Sequence, residues 1–430
     1  VKAITAGKEL LVARYFGRGD SLDAFLIAYL VPSSVIVLVM SALVSAFVPV
    51  FVETREKDGD QAAQRLLSTI MVLAVAVLAA LAVLLALFAP YYLHYLGSGF
   101  SAPKLLLTRK LLYLVLPCIL FGGISAFAAA VLNAGEKFAL PALVPIITPV
   151  ATMVLLVLVV RQWGAFSLAS GVVAGNLLEA VLLLWMLRSH GLAPLFRWTG
   201  LNTRTREIFR YITPMLAASS LMGGTSVVDQ AMAAMLPTGS VAALNYANKV
   251  VGAVIGVVAA AFATATLPYF SKMAAQGDWS GCRHTVKRYS LLIVITTIPL
   301  TLLLMVFARP LITLLFQRGA FSAADAAVVT SVQIAYSLQI PFFVWAMLFV
   351  RFLSSIKRND ILMYGSAISL VIDIGLNLAL MRLWGIVGIA LSTSIVYMVS
   401  VAFFSFWSLK LLRKAESEDD LAVRASSVPE

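Results

Sequence analysis

Charge is scarce in this sequence. Of its 430 residues, 12% are Asp, Glu, Lys or Arg, while 61% are hydrophobic and the mean hydropathy is +0.96. A water-soluble fold cannot hide so much apolar side chain, because a large share of its residues must face water. The solvent has to be lipid. Cysteine is nearly missing. Cys118 lies in an apolar run and Cys282 in a basic loop, which leaves no disulfide framework. The three histidines, His94, His190 and His284, fall in or beside loops. There is no HExxH, no Walker A loop, no GxSxG and no Cys/His cluster. The sequence therefore offers no catalytic residue, no metal site and no cofactor. With no nucleotide site, energy for any transport must come from a gradient, the membrane potential or the substrate's own disposal. Residues 1–12 hold Lys2, Lys8 and Glu9 and have no apolar core of a cleavable leader. The net charge of +12 sits mainly in short loops between apolar runs, as membrane topology demands, so nucleic acid is not an expected partner.

What is present is a series of long apolar runs. A membrane-spanning helix needs about 20 such residues. Eleven runs qualify, at 22–52, 65–89, 105–133, 138–160, 164–190, 205–236, 239–270, 284–308, 324–355, 359–383 and 385–413, with a partial one at 1–16. Pro32, Pro117, Pro145, Pro149, Pro214 and Pro341 lie inside runs and are expected to kink them.

The chain also repeats itself. The closing phrase AFVPVFVE of the run at 22–52 returns about 220 residues later, with Gly19 on Gly239, Phe47 near Phe262, Pro49 on Pro268 and Phe51 on Phe270. FAPYYLHYL at 88–96 answers FARPLITLLF at 307–316, and LPCILF at 116–121 answers IPFFVW at 340–345. Trp163-Gly164 falls on Trp384-Gly385. Four matches in order, at a nearly constant offset, mark a duplicated bundle. The expected fold is an all-α integral membrane protein of about 12 transmembrane helices in two six-helix lobes. The lobes are 1–195 and 196–413, followed by a polar, disordered tail at 414–430. Residues 1–16 match 221–236, so 205–220 have no counterpart and the first helix is expected to lack its first half.

Loop charge sets the expected orientation. Eighteen Lys and Arg residues fall in the loops after even-numbered helices and nine in the opposite loops. The first set is expected in the cytoplasm, with both termini. Six helices per copy is an even number, so both copies enter the membrane in the same direction.

Polar groups within the runs are the informative ones, since a charge at the bilayer centre costs about 2.5–3.5 kcal/mol by insertion scales. They are Lys8, Glu9, Glu179, Asp229, Lys249, Arg351 and Asp373. Glu9 and Asp229 occupy matching positions in the two copies. Asn245, Lys249, Gly252 and Gly256 share one helix face, with Asn248 beside it. Such a stripe faces a cavity or another helix rather than lipid. Lys8 and Lys249 are candidate cavity-lining cations, while Lys249 paired to an acid such as Asp229 is the plainer alternative. Arg351 sits near a helix end, where it can snorkel. Glu179 and Asp373 are expected as interhelical partners. Gly171-x3-Gly175 and Gly252-x3-Gly256 have the spacing of close helix contacts.

Two phrases carry a family resemblance. ARYFGRGDSLDAF at 13–25, followed by AFVPVFVE, and LLFQRGAFS at 314–322 resemble the MviN/MurJ lipid II flippases of the MOP superfamily. The resemblance covers nearly the whole chain. It implies two lobes around a V-shaped central cationic cleft, through which the diphosphate-sugar head of a polyprenyl-linked precursor crosses the bacterial inner membrane. The family's Arg-Asp pair of the first helix stands here as Lys8-Glu9, its Asp-Arg pair of the eighth helix as Asn248-Lys249, and its DAF phrase as Asp23-Ala24-Phe25. The implied substrate contacts are Lys8, Lys249, Asn245 and Asn248, supported by Glu9, Asp23, Asp229 and Arg351. The family phrase PNLLRRLFAEGAF is here PSSVIVLVMSALV at 32–44, with both arginines replaced, by Ile36 and Val37, and the acid by Ser41, and the family's last two helices are expected to be absent. An exopolysaccharide or O-antigen carrier fits the same architecture. A cation-coupled exporter of small organic cations would want acids in the cleft. A non-transporting membrane scaffold is a further alternative, and a glycosyltransferase is disfavoured for want of an acidic pair in a sizeable loop. The sequence names no protein partner.

Overall fold

The computed structural model of the chain describes the backbone of residues 1–191, 200 and 203–426, and side chains there except at 203, 213–214, 217–222, 260–268 and 418–426. Its described residues are helical, with no strand among them. The helices are α1 Lys2–Phe16, α2 Asp20–Asp58, α3 Asp60–Leu96, α4 Ala102–Val115, α5 Pro117–Ala134, α6 Ala139–Leu143, α7 Ile147–Trp163 and α8 Ala165–Ser189. They continue as α9 Thr203–Ala233, α10 Ser240–Ala275, α11 Trp279–Val306, α12 Ala308–Phe316, α13 Ala323–Ser337, α14 Gln339–Ser355, α15 Asn359–Trp384 and α16 Ile386–Ser426. Among the described residues ten helices are long and apolar enough to cross a membrane. That is fewer than the eleven runs and one partial run read from sequence. The shortfall has two sources. The helix α1 has only 15 residues, and the run at 205–236 includes 213–214 and 217–222, which lie outside the described side chains.

The internal repeat is visible in the backbone. The run at 105–133 breaks at Leu116, where Pro117 has no N–H to give the preceding turn, and the run at 324–355 breaks at Leu338. The α7–α8 and α15–α16 junctions turn on Gly164 and Gly385, whose φ/ψ values are 51/−130 and 55/−132. Each copy also has an aromatic pair in its packing. Phe47 meets Phe127 at 4.8 Å in the first copy, and Phe270 meets Phe352 at 5.6 Å in the second. The repeat positions Phe262 and Pro268, and the kink expected at Pro214, lie outside the described side chains.

The copies also differ. Pro32 and Pro49 sit inside an unbroken α2. In the first copy, by contrast, the run at 138–160 divides into α6, a 3-10 turn at Val144–Ile146 and α7, while its partner α15 is continuous. The tail departs from expectation. Disorder was expected from 414, yet α16 runs on to Ser426, and Glu416 accepts from Arg283 at 2.9 Å. Ala, Glu, Leu and Arg are good helix formers, and a helix already nucleated extends at little cost.

Two units emerge from the packing. Unit 1 is Val1–Ala242 with Phe316–Ser322, and unit 2 is Ala243–Leu315 with Ala323–Glu430. This division differs from the repeat boundary at 195, because α9 lies along α2. Within unit 1, α7 packs on α8, and α2 on α4 and α5. The Gly171-x3-Gly175 spacing serves that first contact. A methyl at Gly171 would meet the Thr152 Cα at 2.6 Å, and one at Gly175 would strike the Thr148 Cα. Within unit 2, α14 and α16 pack around Phe270, Phe349, Phe352 and Phe404.

Candidate functional site

Lys8 and Glu9 are neighbours on α1, and the Lys8 Nζ lies 2.9 Å from Glu9 Oε1. Glu9 is buried and Lys8 half-buried. The helix is held against α7, where Gly7 lets Met153 approach. In unit 2, Asn245 is half-buried on α10, while Asn248, Lys249 and Gly252 are exposed. Among the described residues a methyl at Gly252 would meet only Asn248 Oδ1, at 4.0 Å, and no close helix contact of the kind its spacing suggested is seen there. Lys8 belongs to unit 1 and Lys249 to unit 2. Asp229 is buried on α9, and Arg351 is half-buried one turn before the end of α14. Asp373 takes an interhelical place, with Ser392 Oγ donating to its Oδ1 at 3.4 Å.

Asp23 organises one end of unit 1. It is 1% exposed and pairs with Lys104 Nζ at 2.8 Å. It also accepts from the backbone N–H groups of Gly239 at 2.7 Å and Ala242 at 2.8 Å, so it caps the start of α10 from 216 residues away. Lys104 reaches Asp20 as well, at 2.7 Å, and lies 4.1 Å from the centre of the Phe100 ring. Arg18 Nε donates to Gly239 O at 3.1 Å. Gly239 has φ +83, and a Cβ there would strike the Arg18 carbonyl. The second family phrase joins the same unit, since Ala320 N–H donates to Arg14 O at 2.8 Å. Sequence reading singled out Asp23 but missed Lys104. The only local signal was a lysine in the first turn of α4, and 81 residues separate the pair.

A cavity of about 280 Å³ opens between α2, α5, the broken α6–α7 segment and α8, all in unit 1. Tyr29, Ser33, Ile36, Ser125, Asn176 and Glu179 are on its wall. Glu179 is buried and accepts the Thr148 N–H at 3.1 Å, so it caps the start of α7, as an interhelical partner should.

Among the described residues, ten membrane-length helices in a duplicated arrangement define a multi-pass membrane protein. The family model described as Lipid II flippase MurJ matches residues 12–426. The chain belongs to that family. It is 26% identical to the probable lipid II flippase MurJ of Bdellovibrio bacteriovorus, over 82% of this chain and 68% of that protein. Its fold is similar to a solved lipid II flippase MurJ in an inward closed conformation, with a TM-score of 0.83, 23% identity, and 100% of this chain and 91% of that one covered. It is also similar to an inward-facing MATE family multidrug resistance transporter of the MOP superfamily, with a TM-score of 0.81, 11% identity, and 97% and 96% covered.

Proposed function

We propose that this chain carries a polyprenyl-diphosphate-linked saccharide, of the lipid II type used in peptidoglycan synthesis, across the bacterial inner membrane by alternating access. Membership of the lipid II flippase MurJ family across residues 12–426 carries this reading. The physical need is clear. Each sugar hydroxyl costs about 2–7 kcal/mol if buried without a partner, so the head must travel in a wet passage while the polyprenyl tail stays in lipid. Lys8 and Lys249 supply the positive charge for the diphosphate, and Asn245 and Asn248 add neutral hydrogen bonds. An ammonium has three donors. Glu9 occupies one on Lys8 and holds the side chain in place. Both termini face the cytoplasm, a reading supported by the eighteen-to-nine asymmetry of basic loop residues. An anion leaving the cytoplasm then gains about 2.3 kcal/mol per charge for every 100 mV of inside-negative potential.

The test is rescue of a bacterial strain depleted of its lipid II flippase. The wild-type chain restores growth, and Lys8→Ala and Lys249→Ala each abolish rescue while still inserting in the membrane. Full rescue by both variants rejects the cationic role. One observation favours a second reading, a carrier of another polyprenyl-diphosphate glycan for exopolysaccharide. Ile36 and Val37 stand where the family phrase has guanidinium groups. Failure of the wild-type chain to rescue would favour it.

A further inference from the structure

The cavity in unit 1 has chemistry that diphosphate transport leaves unused. At about 30 Å³ per water, its 280 Å³ equals roughly nine waters, far more than a bare ion fills. Much of the wall is apolar, from Ile36, Val37, Val144 and Leu183. The polar atoms that remain are acceptors or hydroxyls, and no Lys or Arg among the described residues lines the space. Glu179 accepts the Thr148 N–H at 3.1 Å, with the hydroxyl of the same threonine beside it, whereas a carboxylate has about four lone-pair sites. Ser125 is 7% exposed and its Oγ has no hydrogen-bond partner. Elsewhere in these helices serines return the proton to a carbonyl, as Ser33 and Ser34 both do to Leu30. Asn176 is oriented by its Nδ2, which donates to Val172 O at 2.9 Å. Its Oδ1 is thereby turned toward Gly122 on the cavity wall, where an added Cβ would lie 3.1 Å away. Pro145 and Pro149 have no N–H, so the carbonyls of Pro141 and Pro145 lose their helical i+4 donors.

One buried carboxyl group and several neutral acceptors beside an apolar hollow are the complement of a cationic donor with an apolar body. We propose that this cavity binds a small protonated amine. The ammonium donates to Glu179, Asn176 Oδ1 and Ser125 Oγ, and the hydrocarbon part lies against Ile36 and Leu183. Charge-assisted hydrogen bonds of this kind are the strong ones, and in an apolar setting they decide which ligand stays. Ile36 and Val37 matter for the same reason. Neither brings a cation that would compete for Glu179. The site uses neither Lys8 nor Lys249 and stands apart from the transport reading.

The experiment is calorimetric titration of 2-phenylethylammonium chloride into the purified full chain in detergent micelles at neutral pH and constant NaCl. Saturable binding is expected. Glu179→Gln keeps an amide oxygen for the Thr148 N–H, so the helix start is retained, and affinity should fall about tenfold or more. Ile36→Arg places a guanidinium beside Glu179 and should abolish binding, which settles the matter if the glutamine variant fails to fold. Lys8→Ala and Lys249→Ala should bind the amine as wild type does, so failure of the transport reading and failure of this one are told apart. 2-Phenylethanol, the neutral analogue, should bind about tenfold more weakly or worse. Absence of saturable amine binding to the folded chain, equal binding of the alcohol, or binding that survives both Glu179→Gln and Ile36→Arg overturns the proposal.

Discussion

Asp23 and Glu179 are both carboxylates buried in unit 1, and their neighbours treat them oppositely. Asp23 has an ammonium and two backbone N–H groups, all within 2.8 Å. Glu179 has one N–H at 3.1 Å and an open hollow beside it. Buried charge is tolerated when its lone pairs are answered and becomes a reason for a ligand when they are not. In a membrane protein an acid inside an apolar run is therefore not informative by itself. The donors around it decide whether it holds the fold or awaits a partner.

Substitutions can break or sharpen this contrast. The largest effect is expected for Asp23→Ala, which leaves Lys104 uncompensated and two N–H groups at the start of α10 without an acceptor. A loss of about 3–5 kcal/mol is expected, read as a lowered thermal midpoint in detergent. A midpoint within error of wild type would mean the node is not structural. Adding Lys104→Ala to that variant should cost less than the two single losses summed, by about 0.5–3 kcal/mol. Strict additivity would show that the pair is not coupled. Gly239→Ala comes next, at about 1–3 kcal/mol, because φ is +83 and the methyl meets the Arg18 carbonyl. The smallest change is expected for Glu179→Gln, within about 1 kcal/mol. A loss as large as that of Asp23→Ala would make Glu179 a structural residue of the same kind and remove the contrast.

Much of this was legible in the chain. Apolar runs give helices because lipid forces every backbone group to bond within its own segment. The repeat aligned Trp163-Gly164 with Trp384-Gly385, and both pairs stand at helix junctions, since a duplicated bundle repeats its turns. Lys8-Glu9 was legible because the two are adjacent. The break at Leu338 was harder, since Pro341 lies three residues past it and a proline near a helix start is tolerated. Lys104 was not legible as the partner of Asp23, because a pair 81 residues apart depends on how α2 and α4 cross. The hollow beside Glu179 was out of reach for a similar reason. Empty space is a property of how four segments pack, and no residue in the sequence denotes it.

The glycine junctions at 164 and 385 have one further consequence. A Cβ built at either would meet nothing within 4 Å, so room is available for a larger residue. What bars an L-residue is handedness. A φ/ψ of 51/−130 or 55/−132 is the mirror image of the polyproline II region that ordinary residues occupy with ease. D-Alanine placed at these joints by chemical synthesis should sit there unstrained, where its L-enantiomer would twist the next helix out of line.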